Sequence, residues 1–241
     1  QYSEGITTAD NAVIFKTFAK AVAQRRGQLL SFMARWTHEA DGQSGHLHMS
    51  LRDLEGQPVF HDPSKDGGMS DTMLYFIGGL QKLLPELLLM LAPNVNSFKR
   101  FVPDIFAPTS VFWGRENRTV ALRAITGSAK SQRVECRVPG ADANPYLSLA
   151  GTLAAGLYGI EHRIEPAAEM TENAYAQKVP AKLRLPETFR DGIERYNKSK
   201  FAREWFGDPF VDLYVAGRAQ QEQEFRSMVT APELERFLEL S

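Results

Sequence analysis

The sequence has 241 residues, 43% hydrophobic and 24% charged, with 28 Lys and Arg against 29 Asp and Glu and a net charge of −1. That is enough chain for one large or two small globular domains with a substantial core. Near-neutrality gives no whole-molecule reason to bind nucleic acid or anionic lipid, and the single cysteine, Cys136, excludes an internal disulfide and fits a reducing cytoplasm.

In chain order, the opening Gln1-Tyr2-Ser3-Glu4-Gly5 is neither an initiator methionine nor a signal peptide, so the chain reads as cut from something longer. Ala12, Phe15, Ala19 and Val22 recur at helical spacing and predict a helix from Thr8 to Arg26, stopped by Gly27. Leu29 to Met33 reads as a short buried strand and Thr37 to Gly45 as a polar loop. His46 to Arg52 reads as a strand followed by a hairpin turn at Glu55-Gly56. A helix is expected from Asp71 to Leu91, bent or divided near Pro85. Its most apolar part, Leu80 to Leu91, is interrupted by Lys82, Pro85 and Glu86 and is too short and charged to span a bilayer.

Three strands are expected next, over Thr109 to Trp113, Thr119 to Ala124 and Arg133 to Val138. Asn144-Pro145 opens an apolar helix to about Ile164, whose small residues allow close packing. Glu165 to Pro186 is polar and proline-bearing, and wraps over the surface. Glu187 to Leu240 reads as helices punctuated by Gly207-Asp208-Pro209. This order predicts an α+β fold, with a mainly antiparallel sheet backed by helices.

Three groups of residues have chemical potential. On a strand His46, His48 and Ser50 share one face and Leu47, Met49 and Leu51 the other. Imidazoles two residues apart suit a metal or phosphate, or simply a solvated strand face. Arg133, Glu135 and Arg137 likewise share a face, while Val134, Cys136 and Val138 turn inward. A carboxylate between two guanidiniums suits a divalent cation and anionic oxygens, or a surface strand with charge pairs. Arg118 and Arg123 have opposite strand parity, which places Arg118 in the loop and Arg123 on the strand. With Lys99-Arg100 they form the basic cluster that phosphoryl transfer requires, or else solvated surface charge. No Walker loop, dinucleotide fingerprint or cysteine-based metal motif is present.

Taken together, Gly42-Gln43-Ser44-Gly45-His46-Leu47-His48-Met49-Ser50, Asn96-Ser97-Phe98-Lys99-Arg100, Asn117-Arg118, Arg133-Val134-Glu135-Cys136-Arg137 and Asn144-Pro145-Tyr146 resemble the glutamine synthetase family, in family order. The terminal Val229-Thr230-Ala231-Pro232-Glu233-Leu234-Glu235 fits as well. The resemblance implies one catalytic domain over residues 1–241, without the amino-terminal β-grasp domain and first metal-binding strands. It implies a cytoplasmic, ring-forming ligase. Such an enzyme makes a γ-glutamyl amide from glutamate and ammonium or a small organic amine through a γ-glutamyl phosphate, using ATP with Mg²⁺ or Mn²⁺.

By the same resemblance His46 and Glu135 are metal ligands, and His48, Ser50, Lys130 and Arg133 are nucleotide-side residues. Gly42, Arg100 and Arg137 face glutamate, and Arg118 and Arg123 neutralise the transferred phosphate. Where ammonium-using relatives carry a glutamate, this sequence has Phe106, with Asp104 nearby, and the Trp113–Arg118 run resembles the γ-glutamylpolyamine synthetase branch. A catalytically silent structural or regulatory relative is the competing reading, although a scaffold has no need of these arginines. A metallohydrolase built on His46, His48 and Glu135 leaves the arginines unexplained.

Overall fold

The computed structural model describes residues 2–102 and 107–240. Among them lies a four-stranded sheet of β1 (Leu47–Met49), β2 (Trp113–Arg115), β3 (Leu122–Ile125) and β4 (Arg133–Cys136), in spatial order β1-β4-β3-β2. The two pairings of β4 are antiparallel, and β2 runs parallel to β3. The helices are α1 (Thr7–Arg25), α2 (Asp71–Leu91), α3 (Val95–Phe98), α4 (Pro145–Glu161), α5 (Phe189–Lys198), α6 (Lys200–Phe206), α7 (Asp208–Ser227) and α8 (Ala231–Phe237). The expected α+β architecture with a mostly antiparallel sheet is therefore present, although the strands are shorter than their apolar runs. The strand expected at Thr109 to Trp113 is displaced to Trp113–Arg115, because Ser110 and Val111 pair instead with Arg184 and Leu183.

Strand alternation divides the sheet into two chemical faces. Met49, Leu122, Ala124, Val134 and Cys136 are buried in the core, while His48, Arg123 and Glu135 take the opposite face. The hairpin after β1 forms as its turn residues dictate. Gly56 has φ +80°, and the Asp53 carboxylate accepts from the Glu55 and Gln57 amides.

Behind the sheet α2 is the central element. It is apolar around most of its circumference, as a fully enclosed helix must be. By length and composition the whole of α2 could cross a membrane, but 78% of its most apolar window is buried inside this protein. It runs as one helix through Pro85, where the sequence suggested a bend or a division, so it is not divided there. Its buried Gln81 is satisfied at both ends, donating to the Val111 carbonyl at 2.8 Å and accepting from the Ala167 amide at 2.8 Å. The packing of α2 on α4 depends on glycine. A β-carbon at Gly79 would lie 2.2 Å from the Ala155 carbonyl oxygen, and one at Gly159 would lie 2.2 Å from that of Tyr75.

One expected strand is absent. Leu29 to Met33 forms no ladder, because a strand exists only against a partner and none lies beside it among the described residues. Leu29 is fully exposed, and so is much of the apolar stripe of α1, including Phe15 and Val22.

Gly79→Ala should lower stability by about 1–3 kcal/mol through overpacking, or roughly 3–10 °C in melting temperature. Gly217→Ala, on α7 with open space around the added methyl, should hold or raise the melting temperature. Equal effects would contradict the tight α2–α4 crossing.

Candidate active site

The strand registers place three of the sequence-derived residues in one row across the sheet. His48 of β1 lies opposite Glu135 of β4, which lies opposite Arg123 of β3. Cross-strand neighbours on one face are close enough for their side chains to interact, and here they converge on the carboxylate.

Glu135 is 4% exposed. Its Oε1 accepts from Arg137 Nη1 at 3.0 Å and lies 3.1 Å from His46 Nδ1 and 3.7 Å from His48 Nε2. Its Oε2 accepts from Arg123 Nη1 at 3.2 Å. Burial by itself raises a carboxyl pKa. The His46 hydrogen bond and the Arg137 and imidazole charges outweigh it and hold Glu135 at about 2. Glu135 is thus an anion wherever the protein is folded near neutrality.

The two histidines are held differently. With its Nδ1 directed to Glu135, His46 leaves Nε2 buried and without a hydrogen-bond partner. In the neutral ring that atom is a lone pair, the form in which imidazole binds metal. His48 accepts from Arg133 Nε at its Nδ1, 3.1 Å away, so its proton sits on Nε2. Burial lowers the His48 pKa, with Arg133 acting in the same sense, and Glu135 only partly offsets them.

The remaining sequence-derived residues fall into three settings. Ser50 and Lys130 are exposed near Arg133, at the open end of β1 and β4, and their side chains have no polar partner among the described residues. Gly42 and Arg100 are brought into direct contact, since a β-carbon at Gly42 would lie 2.5 Å from Arg100 Cγ. The Arg100 guanidinium is almost fully enclosed and donates to the Val138 carbonyl, and burial lowers its pKa to about 10. It lies beneath the Gly42 loop, whereas Arg137 faces the Glu135 row. Arg118 occupies the β2–β3 turn, as parity required, exposed and without a side-chain partner among the described residues. Asp104 and Phe106 lie outside the described residues.

Two contributors did not stand out from the sequence. Glu116 pairs with Arg123, and Asp142 bonds Ser97 and Asn94 while its charge favours the Arg100 guanidinium. Glu116 lies inside the Trp113–Arg118 run, so its charge was visible. The left-handed turn that directs it was not.

Among the residues expected to hold a metal, His46 and Glu135 have the donor chemistry an ion needs, while the described residues hold no cluster of three or more His, Cys, Asp or Glu suited to an ion. A hard divalent cation takes about six oxygen-rich ligands. The residues present therefore fit part of such a site, with an imidazole and a carboxylate side by side and a second, buried imidazole nitrogen left without a partner.

Residues 1–237 match the family described as glutamine synthetase, catalytic domain. The chain is 41% identical to γ-glutamylethanolamide synthetase GlnA4 of Streptomyces coelicolor over 239 residues, covering 99% of this chain and 50% of that protein. It is also 41% identical to type-1 glutamine synthetase 2 of Dictyostelium discoideum over 243 residues, covering 100% and 46% respectively. The chain thus spans about half the length of the curated relatives it matches. Among solved structures, a GmaS complex with ADP superposes with a TM-score of 0.89 at 27% identity, covering 99% of this chain and 56% of that one.

Glu135 has a folded pKa below its ordinary 4.5, so its stabilising contribution is complete above that pH and is lost as pH falls toward 2. Glu135→Gln should therefore be less stable than wild type at pH 7, with the gap narrowing steadily below pH 4.5 in denaturation midpoints. A gap that does not change with pH would contradict the ionised, multiply bonded Glu135.

Proposed function

The chain belongs to the glutamine synthetase family, and on that premise we propose that the protein containing it joins glutamate to an amine or ammonium at the expense of ATP, through a γ-glutamyl phosphate. The observation that carries the reading is the convergence of Arg123, Arg137, His46 and His48 on the buried Glu135, with Arg118, unpaired among the described residues, in the turn that leads into β3. Guanidiniums on one face, around a fixed anion and beside two imidazoles, are the arrangement that charge neutralisation during phosphoryl transfer calls for.

In this reading the glutamate side-chain carboxylate attacks the γ-phosphorus, and the bond to the ADP oxygen breaks with its electron pair leaving on ADP. The amine nitrogen then attacks the acyl carbon, inorganic phosphate leaves with the bonding pair, and the nitrogen loses a proton. Arg118 and Arg123 neutralise the oxygens of the transferred group. Arg133, His48, Ser50 and Lys130 hold the nucleotide at the open end of β1 and β4. Arg137 and the Gly42 backbone receive glutamate. Arg100 joins them only if its guanidinium leaves the Val138 carbonyl, and otherwise it supports the loop from below.

His46 and Glu135 would hold a Mg²⁺ or Mn²⁺ ion, completed by phosphate oxygens, water or other parts of the protein. When bound it supplies positive charge to the phosphates.

The amine is read from Phe106. A carboxylate at that position would attract ammonium and help deprotonate it. A phenyl ring instead packs against an alkyl chain and attracts an alkylammonium by about 0.5–2 kcal/mol. The name of the Streptomyces relative points to ethanolamine and that of the Dictyostelium relative to ammonium.

Arg118→Ala in the full-length protein should keep its fold and reduce turnover by about two orders of magnitude. Unchanged turnover would remove Arg118 from the mechanism. Given glutamate and ATP, the wild type should show a higher specificity constant for ethanolamine, methylamine or putrescine than for ammonium. Ammonium equal to or above every organic amine would overturn the part assigned to Phe106.

A further inference from the structure

Arg118 and Arg123 are carried by one turn and the strand that follows it, yet the structure treats them oppositely. Arg118 is exposed and unpaired among the described residues. Arg123 is pinned on two sides, with Nη1 on Glu135 Oε2 at 3.2 Å and Nη2 on Glu116 Oε2. Its Nε is buried without a hydrogen-bond partner.

The second pin is built into the backbone. β2 ends at Arg115, and the Glu116 amide extends the parallel ladder by donating to the Ala124 carbonyl at 3.0 Å. Glu116 then takes φ +50°, in the left-handed region that few non-glycine residues enter. The next residue locks the turn. Asn117 Nδ2 donates to the carbonyls of Met170 and Glu172 at 2.9 and 2.8 Å, and its Oδ1 accepts from the Thr119 amide. The Glu116 carboxylate is thereby carried over β3, where Oε1 also accepts from the Thr126 amide at 3.2 Å. A surface ion pair formed by chance has no such fixed carboxylate. Glu116 and Arg123 also form part of the wall of an open cavity of about 640 Å³ that includes Arg118, so a ligand entering it meets both arginines.

We propose that Glu116 is a positioning residue for Arg123. It holds the guanidinium in the plane of the Glu135 row, and it gives up Nη2 to a phosphate oxygen when nucleotide binds. The proposal rests on the ligase reading for the identity of that anion. In this assignment Glu116 acts through Arg123 and not by contact with the phosphate. Removing its charge frees Arg123 to bind the ground-state nucleotide more readily but leaves it poorly placed for transfer.

The test uses full-length wild type, Glu116→Gln, Glu116→Asp, Arg123→Gln and the Glu116→Gln/Arg123→Gln double variant. Binding of a non-hydrolysable ATP analogue with Mg²⁺ is read by calorimetry, and amide formation is read separately. With Arg123 present, Glu116→Gln should tighten nucleotide binding about two- to fivefold and lower kcat about tenfold or more, with Glu116→Asp recovering part of kcat. With Arg123 removed, Glu116→Gln should change binding by less than about 1.5-fold.

Equal effects in the two backgrounds, or a joint loss of binding and melting temperature in both Glu116 variants, would overturn the proposal and leave the ligase reading standing. Coupling between Glu116 and Arg123 in a wild type that forms no amide would sink the ligase reading alone. A wild type that binds no nucleotide would sink both.

Discussion

A buried carboxylate cannot stand alone in a protein interior, and this requirement organises the site face. Glu135 sits on a central strand with both neighbours in place, so its position is fixed by backbone ladders on each side. Removing a charged group from water costs several kcal/mol unless partners replace the lost hydration. The replacement comes from four side chains on three strands or their edges: His46, His48, Arg123 and Arg137. Each partner is in turn restrained by that contact, so a single anion sets the orientation of two imidazoles and two guanidiniums. It leaves the guanidiniums clustered and turned toward one face, the arrangement that binding of an anionic group calls for.

The core keeps this face rigid from behind. Val134 and Cys136 flank Glu135 on its strand and are fully buried, as are Leu122 and Ala124 beside Arg123. Below them α2 and α4 meet at backbone distance through Gly79 and Gly159. Interiors packed this densely transmit displacement instead of absorbing it. The β2–β3 turn is fixed from the outside by Asn117 and by Arg115, which bonds Glu169 and Asp66. Arg123 therefore lies between two fixed elements, and Arg118 projects from the turn that joins them.

What was legible in the sequence is what strand parity governs. His48 and Glu135 on one face, Val134 and Cys136 on the other, and Arg118 in a turn with Arg123 on a strand all follow from period-two alternation. The α2 helix was visible too, because its apolar run is long. The unbroken passage through Pro85 was not, since continuity there is decided by packing around a buried proline and not by local propensity. The strand expected at Leu29 to Met33 shows the converse limit. An apolar run specifies a strand only where another strand meets it. The inward turn of Arg100, and the left-handed Glu116 that reaches Arg123, depend on contacts between residues distant in the chain, which spacing does not record.

We propose that this face serves transfer of a phosphoryl group from ATP to the side-chain carboxylate of glutamate. The direct measurement follows oxygen. Glutamate labelled with ¹⁸O in that carboxylate is given to the full-length protein with ATP, divalent cation and an amine, and the released phosphate is analysed by mass. Attack of the carboxylate on phosphorus, followed by displacement by the amine, transfers one labelled oxygen to each phosphate. One labelled oxygen in phosphate for every amide formed is the expected result. Unlabelled phosphate, or phosphate released at the same rate without glutamate, would contradict it.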